Sequence, residues 1–315
     1  MASAPTSGSV PARPSTLRIW LLAARPATLP AALAGVVVGL GAALAAGASF
    51  RPDTALGCVA VALLLQVVAN FANDLSDFRR GADTPDRSGP VRVAAAGLVT
   101  ERQLEAAIAI TIGIAGIVGL WLAVTGGPVI IALGVLAVVA ALAYTGGPFP
   151  YGYRALGEVF VFVFFGLVAV IGTAYLQAGR LEPVFVAAAV PPGALITAIL
   201  VVNNLRDIPT DTAAGKRTLA VVLGARATQA EYAGLLVVAY LVPVGLAVGA
   251  RTPWVLAPLL SMPLAARLWR SVRDFHEPRE LNPVLKGTAR LSLVFSLLFA
   301  LGLALAGAWS AGAAG

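Results

Sequence analysis

Apolar stretches long enough to cross a bilayer recur along nearly the whole chain, and no other feature restricts its fold so strongly. They fall at residues 19–46, 54–74, 104–124, 128–145, 155–177, 184–205, 229–249, 253–270 and 287–311, between short polar breaks. Most approach the roughly 20 residues that a helix requires to span the hydrocarbon. Inside lipid no water satisfies the backbone N–H and C=O groups, so segments of this kind are helical. The expected fold class is an all-α integral membrane protein of about nine transmembrane helices. Composition agrees: of 315 residues, 59% are hydrophobic and 12% charged. That is more apolar surface than one soluble core can hide.

Local signals refine the boundaries. Gly126-Gly127-Pro128 marks a tight turn, and Pro191-Pro192 is expected to kink the sixth helix. Residues 1–17 begin with a run rich in Ser, Pro and Ala and are expected to form a disordered tail. The apolar run that follows extends from about Ala27 to Phe50. It exceeds the roughly 7–15 residues of a signal-peptide core and is assigned as a retained first helix. Residues 18–312 then form a single transmembrane domain.

The charges set the orientation. With the N-terminus inside, nineteen of the 22 Lys and Arg residues fall on the inner side, and only Arg51, Arg180 and Arg251 on the outer. This positive-inside asymmetry predicts a multi-pass protein of the cell membrane, with its N-terminus and longer loops cytoplasmic. The net charge of +7 comes from these scattered loops rather than from one basic stripe, and few aromatics interleave with them. Nucleic acid is therefore excluded as a partner, and the lipid bilayer is the expected surroundings. The lone cysteine, Cys58, rules out an intramolecular disulfide and any cysteine-rich metal centre. The lone histidine, His276, sits in a charged loop with nothing nearby to make a catalytic triad.

Chemistry concentrates at two inner-side breaks, about 75–103 and 206–228. Around the start of the first, Asn70, Asp74 and Asp77 stand at i, i+4 and i+7 and share one face if the helix continues that far. Around the start of the second, Asn203, Asp207 and Asp211 stand at i, i+4 and i+8, with Pro209 expected to place Asp211 past a kink. The two clusters resemble each other, and four helices separate them, so they share an orientation in the manner of a parallel repeat. Any single aspartate here could be a solvated helix end. Two groups of them at helix C-termini, however, oppose the macrodipole and repel each other unless cations lie between them. Oxygen donors of this kind suit Mg²⁺. The adjacent Arg79, Arg80, Arg87, Arg92, Lys216 and Arg217 extend the match to a diphosphate held jointly by metal and basic side chains. Most of these basic residues individually need no explanation beyond the positive-inside effect. A cation-coupled transporter is the rival class, but it requires ionisable residues along a path at mid-membrane. Here the charges crowd the inner ends.

These motifs resemble the UbiA superfamily of intramembrane prenyltransferases, and most closely its branch acting on 1,4-dihydroxy-2-naphthoate. The likeness rests on Asn73-Asp74 with Asp83-Thr-Pro-Asp86-Arg87-Ser-Gly89-Pro90-Val-Arg92, and on Asn203-Asn204-Leu-Arg206-Asp207 with Gly215-Lys216-Arg217-Thr218-Leu219-Ala220. Leu281-Asn282-Pro283-Val284-Leu285-Lys286-Gly287-Thr288-Ala289 and Tyr144-Thr-Gly-Gly-Pro148-Phe-Pro150 before Leu156-Gly157-Glu158 add to it. The resemblance covers about 18–305. It implies nine helices around a central cavity and Mg²⁺ as cofactor. It also implies transfer of a polyprenyl group from its diphosphate to an aromatic acid, with loss of CO₂, giving demethylmenaquinone. Another acceptor such as 4-hydroxybenzoate stays open. By the same resemblance the metal–diphosphate positions are Asn70, Asp74, Asp77, Asn203, Asp207 and Asp211. Diphosphate neutralisation falls to Arg79, Lys216 and Arg80. Arg25 and Arg154 are assigned to the acceptor's carboxylate on charge and side alone. The first motif departs from the superfamily's common spacing of four: Asp77 follows Asp74 by three, and the next carboxylate is Asp83.

Overall fold

The computed structural model describes residues 14–81 and 92–313. Most of the expected tail lies outside these residues, as do Asp83, Asp86 and Arg87 of the first motif. The described chain is helical. Its α-helices are α1 (Thr16–Ala24), α2 (Leu29–Ala45), α3 (Pro52–Arg79), α4 (Glu101–Gly126), α5 (Pro128–Ala143), α6 (Gly157–Val161), α7 (Ala169–Ala178), α8 (Pro183–Ala213), α9 (Leu219–Leu223), α10 (Ala225–Ala250), α11 (Met262–Asp274) and α12 (Leu281–Ala313). A π-helical turn, Phe162–Val168, joins α6 to α7 into one rod, and a 3₁₀ segment, Trp254–Ser261, leads into α11. Seven rods among the described residues are long and apolar enough to cross a membrane. With the shorter α5 and the Trp254–Asp274 rod, they match the nine stretches read from the sequence.

Local chemistry sets the helix ends. α3, α5 and α8 each begin on a proline, whose missing N–H is no loss in a first turn. Thr100 and Gln103 form a reciprocal capping box at the start of α4. Several boundaries differ from expectation: α1 begins at Thr16, inside the expected tail, and α12 begins at Leu281 rather than near 287. The first stretch is broken rather than continuous: Arg25 turns left-handed (φ 51°) ahead of Pro26, and a 3₁₀ turn, Pro26–Thr28, precedes α2. Pro26 disfavours helical geometry at the residue before it, which is why the break falls there. α8 runs unbroken through Pro191, Pro192 and Pro209 to Ala213, so Asp211 lies on the helix and the following loop is shorter than expected. α3 likewise continues five residues past Asp74, to Arg79.

Burial divides the bundle. α8 is the central rod, packed with α2, α10 and α12 around Val38, Phe185, Leu195, Tyr232, Phe295 and Phe299. A second cluster, Ile19, Phe71, Val93 and Leu104, seats α3 against α1 and α4. α4 and α5 instead expose Ile110, Ile117, Leu120, Val124, Val135 and Val139, the surface expected of lipid-facing helices. Helices gain little by leaving lipid tails for one another, so close contact relies on small residues. At Gly41 an added Cβ would lie 2.5 Å from the Ala300 Cα, so α2 and α12 touch backbone to backbone. At one end of the bundle Gln177 bonds both backbone groups of Arg51, at 2.8 and 3.0 Å, and Arg180 donates to the Ala46 carbonyl. The acidic helix ends lie at the other.

Candidate active site

The last turns of α3 bury Asn70, Asp74 and Asp77 together, as the helical spacing predicts. On α8, Asp207 and Asp211 are buried and Asn203 is half-buried. The two sets converge. Lys216, in the loop after α8, sets its Nζ 3.2 Å from an Asp77 oxygen and 3.9 Å from an Asp211 oxygen, joining carboxylates of two separate helices. The same ammonium lies 4.7 Å from the Tyr153 ring centroid, a cation–π contact. The Tyr153 hydroxyl donates to Asp77 at 2.8 Å. Burial first, then the charge of Asp77, push the Tyr153 phenol well above its ordinary range, so it stays a donor.

The other carboxylates are held in different ways. Asp74 accepts the backbone N–H groups of Val93 and Ala94, at 3.1 and 3.2 Å, which folds the 92–99 loop over the helix end. From that loop Arg92 reaches Asp77 at 2.7 Å, with both side chains almost wholly buried. Arg206 grips its neighbour Asp207 through two bonds of 2.7 and 2.6 Å. It also donates to Asn203 and to Asn282 at the start of α12. Asn70 donates to the Ala24 carbonyl (2.9 Å) and the Thr28 hydroxyl (3.0 Å), both exposed to it by the break after α1.

The predicted basic residues divide by position. Lys216 is central, and Arg25 is half-buried within Coulombic reach of Asp74. Arg80 sits at the rim, 5.4 Å over the Tyr153 ring, and donates to the Gly147 carbonyl. Arg79 points outward to Glu101 and Glu105 on α4. Arg154 is exposed over the Phe149 ring, while the adjacent backbone is tied by Arg217 N–H to the Tyr153 carbonyl. The site also takes in Arg206 and Asn282, which stand in the motifs carrying the resemblance without a role of their own, and Tyr153, which the sequence does not mark. Arg206 reads as one more inner-side charge, and only its burial on the central rod distinguishes it. Two cavities of about 290 and 380 Å³ lie elsewhere, beside α11 and beside the start of α1.

Carboxylate and amide oxygens are the donors a hard cation takes. Among the described residues no three acids stand together as a ready metal cage. What the structure shows instead is a side-chain cation, the Lys216 ammonium, standing between carboxylates of both clusters. Asp74, Asp77, Asp207 and Asp211 are set among Arg25, Arg92, Arg206 and Lys216, four charges of each sign. By donor chemistry the carboxylates would hold Mg²⁺ only together with an anion that the Lys and Arg side chains would meet.

The model of the UbiA prenyltransferase family matches residues 32–286. The chain belongs to that family. Among UbiA relatives, 1,4-dihydroxy-2-naphthoate octaprenyltransferase of Mycobacterium tuberculosis is 46% identical over 89% of this chain and 95% of its own. The protein of that name from Escherichia coli is 38% identical over 94% and 98%. A UbiA homolog from Archaeoglobus fulgidus, solved bound to GPP and Mg²⁺, superposes with a TM-score of 0.66 over 91% of this chain and 99% of that one. At 15% identity this likeness shows the UbiA fold alone.

Proposed function

We propose that this protein transfers a polyprenyl group from polyprenyl diphosphate to 1,4-dihydroxy-2-naphthoate, with loss of the carboxyl group as CO₂, to give demethylmenaquinone. The carrying observation is the convergence of two acidic helix ends on Lys216. The names borne by relatives at 38–46% identity support the acceptor.

In this reading Asn70, Asp74, Asp77, Asn203, Asp207 and Asp211 would hold Mg²⁺ beside the diphosphate. Bound Mg²⁺ supplies charge stabilisation for the departing diphosphate. Lys216 and Arg92 turn from the carboxylates onto phosphate oxygens, with Arg80 at the rim. Arg79 is engaged by α4 and contributes to loop position rather than to phosphate. Arg25, beside Asp74, is better placed than the exposed Arg154 to meet the acceptor's carboxylate. The electron pair of the allylic C–O bond leaves with diphosphate, and an aromatic carbon supplies the pair for the new C–C bond. When the carboxylate departs as CO₂, its bonding pair returns to the ring, and the charges balance. Apolar helices keep water from the allylic cation. The enzyme sits in the cell membrane with the acidic end facing the cytoplasm.

The test is prenyl transfer in proteoliposomes with dihydroxynaphthoate and 4-hydroxybenzoate in competition, products read by mass, with and without Mg²⁺. The expected product is prenylated naphthoquinol, formed only with the divalent ion. A product from 4-hydroxybenzoate alone rejects the acceptor, and full turnover in excess chelator rejects the metal.

A further inference from the structure

Beside the acidic clusters lies a second polar site that the proposed metal and diphosphate chemistry does not use. Glu158 is 6% exposed, in the first turn of α6. One carboxylate oxygen accepts the Asn204 amide at 2.8 Å, and the other is buried with no hydrogen-bond partner among the described residues. A helix N-terminus accounts for an acid at this position. It does not account for an oxygen buried without a protein partner, because such an acceptor gives up hydration with no hydrogen bond in return. From α10, Glu231 also has a buried oxygen lacking a partner, and it lies within Coulombic reach of Glu158. The Tyr144 phenol lies within Coulombic reach of Glu158, Asp77 and Asp211 alike, with the Tyr151 ring 5.4 Å from its own.

Two details tie this site to the first. Asn204 follows Asn203 on α8, so one turn of the central rod serves both clusters. The Tyr144 hydroxyl approaches where a Cβ on Gly157 would be, at 3.6 Å, so the chain before Glu158 lies against the ring. The rod then passes directly into the π-helical Phe162–Val168 turn, a distortion that recurs near functional sites. Acceptors without donors, beside a site for the diphosphate, ask for a hydroxyl-bearing ligand.

We propose that Glu158, held in place by Asn204, accepts a hydrogen bond from a ring hydroxyl of the aromatic acceptor and selects acceptors that carry it. This rests on the reading that the protein prenylates a hydroxylated aromatic acid. The bond pulls the hydroxyl proton toward Glu158, raises electron density on the ring and fixes which ring carbon faces the allylic centre.

The experiment compares full-length wild type and Glu158→Gln in lipid nanodiscs on two acceptors, 1,4-dihydroxy-2-naphthoate and 1-hydroxy-2-naphthoate. Binding of an unreactive prenyl thiolodiphosphate with Mg²⁺ is measured alongside. Wild type should prefer the dihydroxy acid strongly, and the variant should lose about 100-fold in kcat/KM for it. Activity on the monohydroxy acid and binding of the thiolodiphosphate should change by less than about threefold, so the preference collapses. An unchanged preference in Glu158→Gln overturns the proposal. So does a parallel loss of thiolodiphosphate binding, the mark of a purely structural acid. If wild type ignores both naphthoates but uses 4-hydroxybenzoate, only the acceptor assignment above fails. The variant is then compared on 4-hydroxybenzoate and 4-methoxybenzoate, and an unchanged preference there overturns the role of Glu158.

Discussion

Asp77 shows how much one residue in this protein is asked to balance. Arg92, Lys216 and Tyr153 all meet it in a buried setting. Breaking a buried ion pair typically costs about 3–5 kcal/mol, because the partner stays charged without compensation. Arg92→Ala should therefore lower the unfolding temperature in detergent markedly, toward the smaller end of that range since Lys216 remains on Asp77. Tyr153→Phe removes a hydrogen bond to a carboxylate, a loss of about 1.5–3 kcal/mol. Because the Tyr153 phenol is pushed up, it keeps its proton, and it adds no alkaline limb to the activity profile between about pH 6 and 9. A wild-type limb that disappears in Tyr153→Phe would contradict this. Asp74→Ala and Asp207→Ala should each abolish turnover while the protein remains in the membrane fraction. Normal turnover in either variant would remove that aspartate from the metal site.

At the scale of elements, α8 and α2 carry the design. α8 passes through three prolines without breaking; Pro191 and Pro192 are buried where its neighbours enclose it, and Pro209 is exposed one turn before the helix ends. That continuity delivers Asn203, Asn204, Asp207 and Asp211 on one rigid rod. α2 depends on closeness to α12. Gly41→Ala would place a Cβ 2.5 Å from Ala300 Cα and 2.6 Å from its carbonyl oxygen, and both atoms are backbone that cannot turn aside. We expect destabilisation of about 1–3 kcal/mol, read as a lower midpoint of thermal unfolding in detergent. Gly113 on α4 has nothing within 4 Å of an added Cβ. There Gly113→Ala should be neutral or gain up to about 1 kcal/mol through helix propensity. Equal losses at the two positions would mean that close packing of α2 against α12 is not what Gly41 provides.

At the scale of the molecule, the basic residues sort by end. Arg51 and Arg180 meet Gln177 and Ala46 at the end opposite Lys216 and Arg92. Orientation then becomes one measurement. In a Cys58→Ser background, single cysteines at Ser49 and at Ala227 lie at opposite ends of the bundle, both at exposed positions. In intact cells an impermeant maleimide should label the first and spare the second. The reverse pattern would turn the acidic site outward and defeat the cytoplasmic assignment.

Sequence alone determined the lipid environment, the rods and the two acidic clusters, because spanning length and helical spacing are local quantities that each stretch carries within itself. It placed Asn70, Asp74 and Asp77 on one face correctly, and it marked Lys216. It did not reveal the break at Arg25 as a source of hydrogen-bond acceptors for Asn70, the outward turn of Arg79 to α4, or the burial of Arg206 beside Asp207. Nor did it single out Glu158 and Asn204 as a pair, 46 residues apart in the chain. Those features depend on which rods become neighbours. Packing between distant segments decides that, and with it which charges lose water and must find one another.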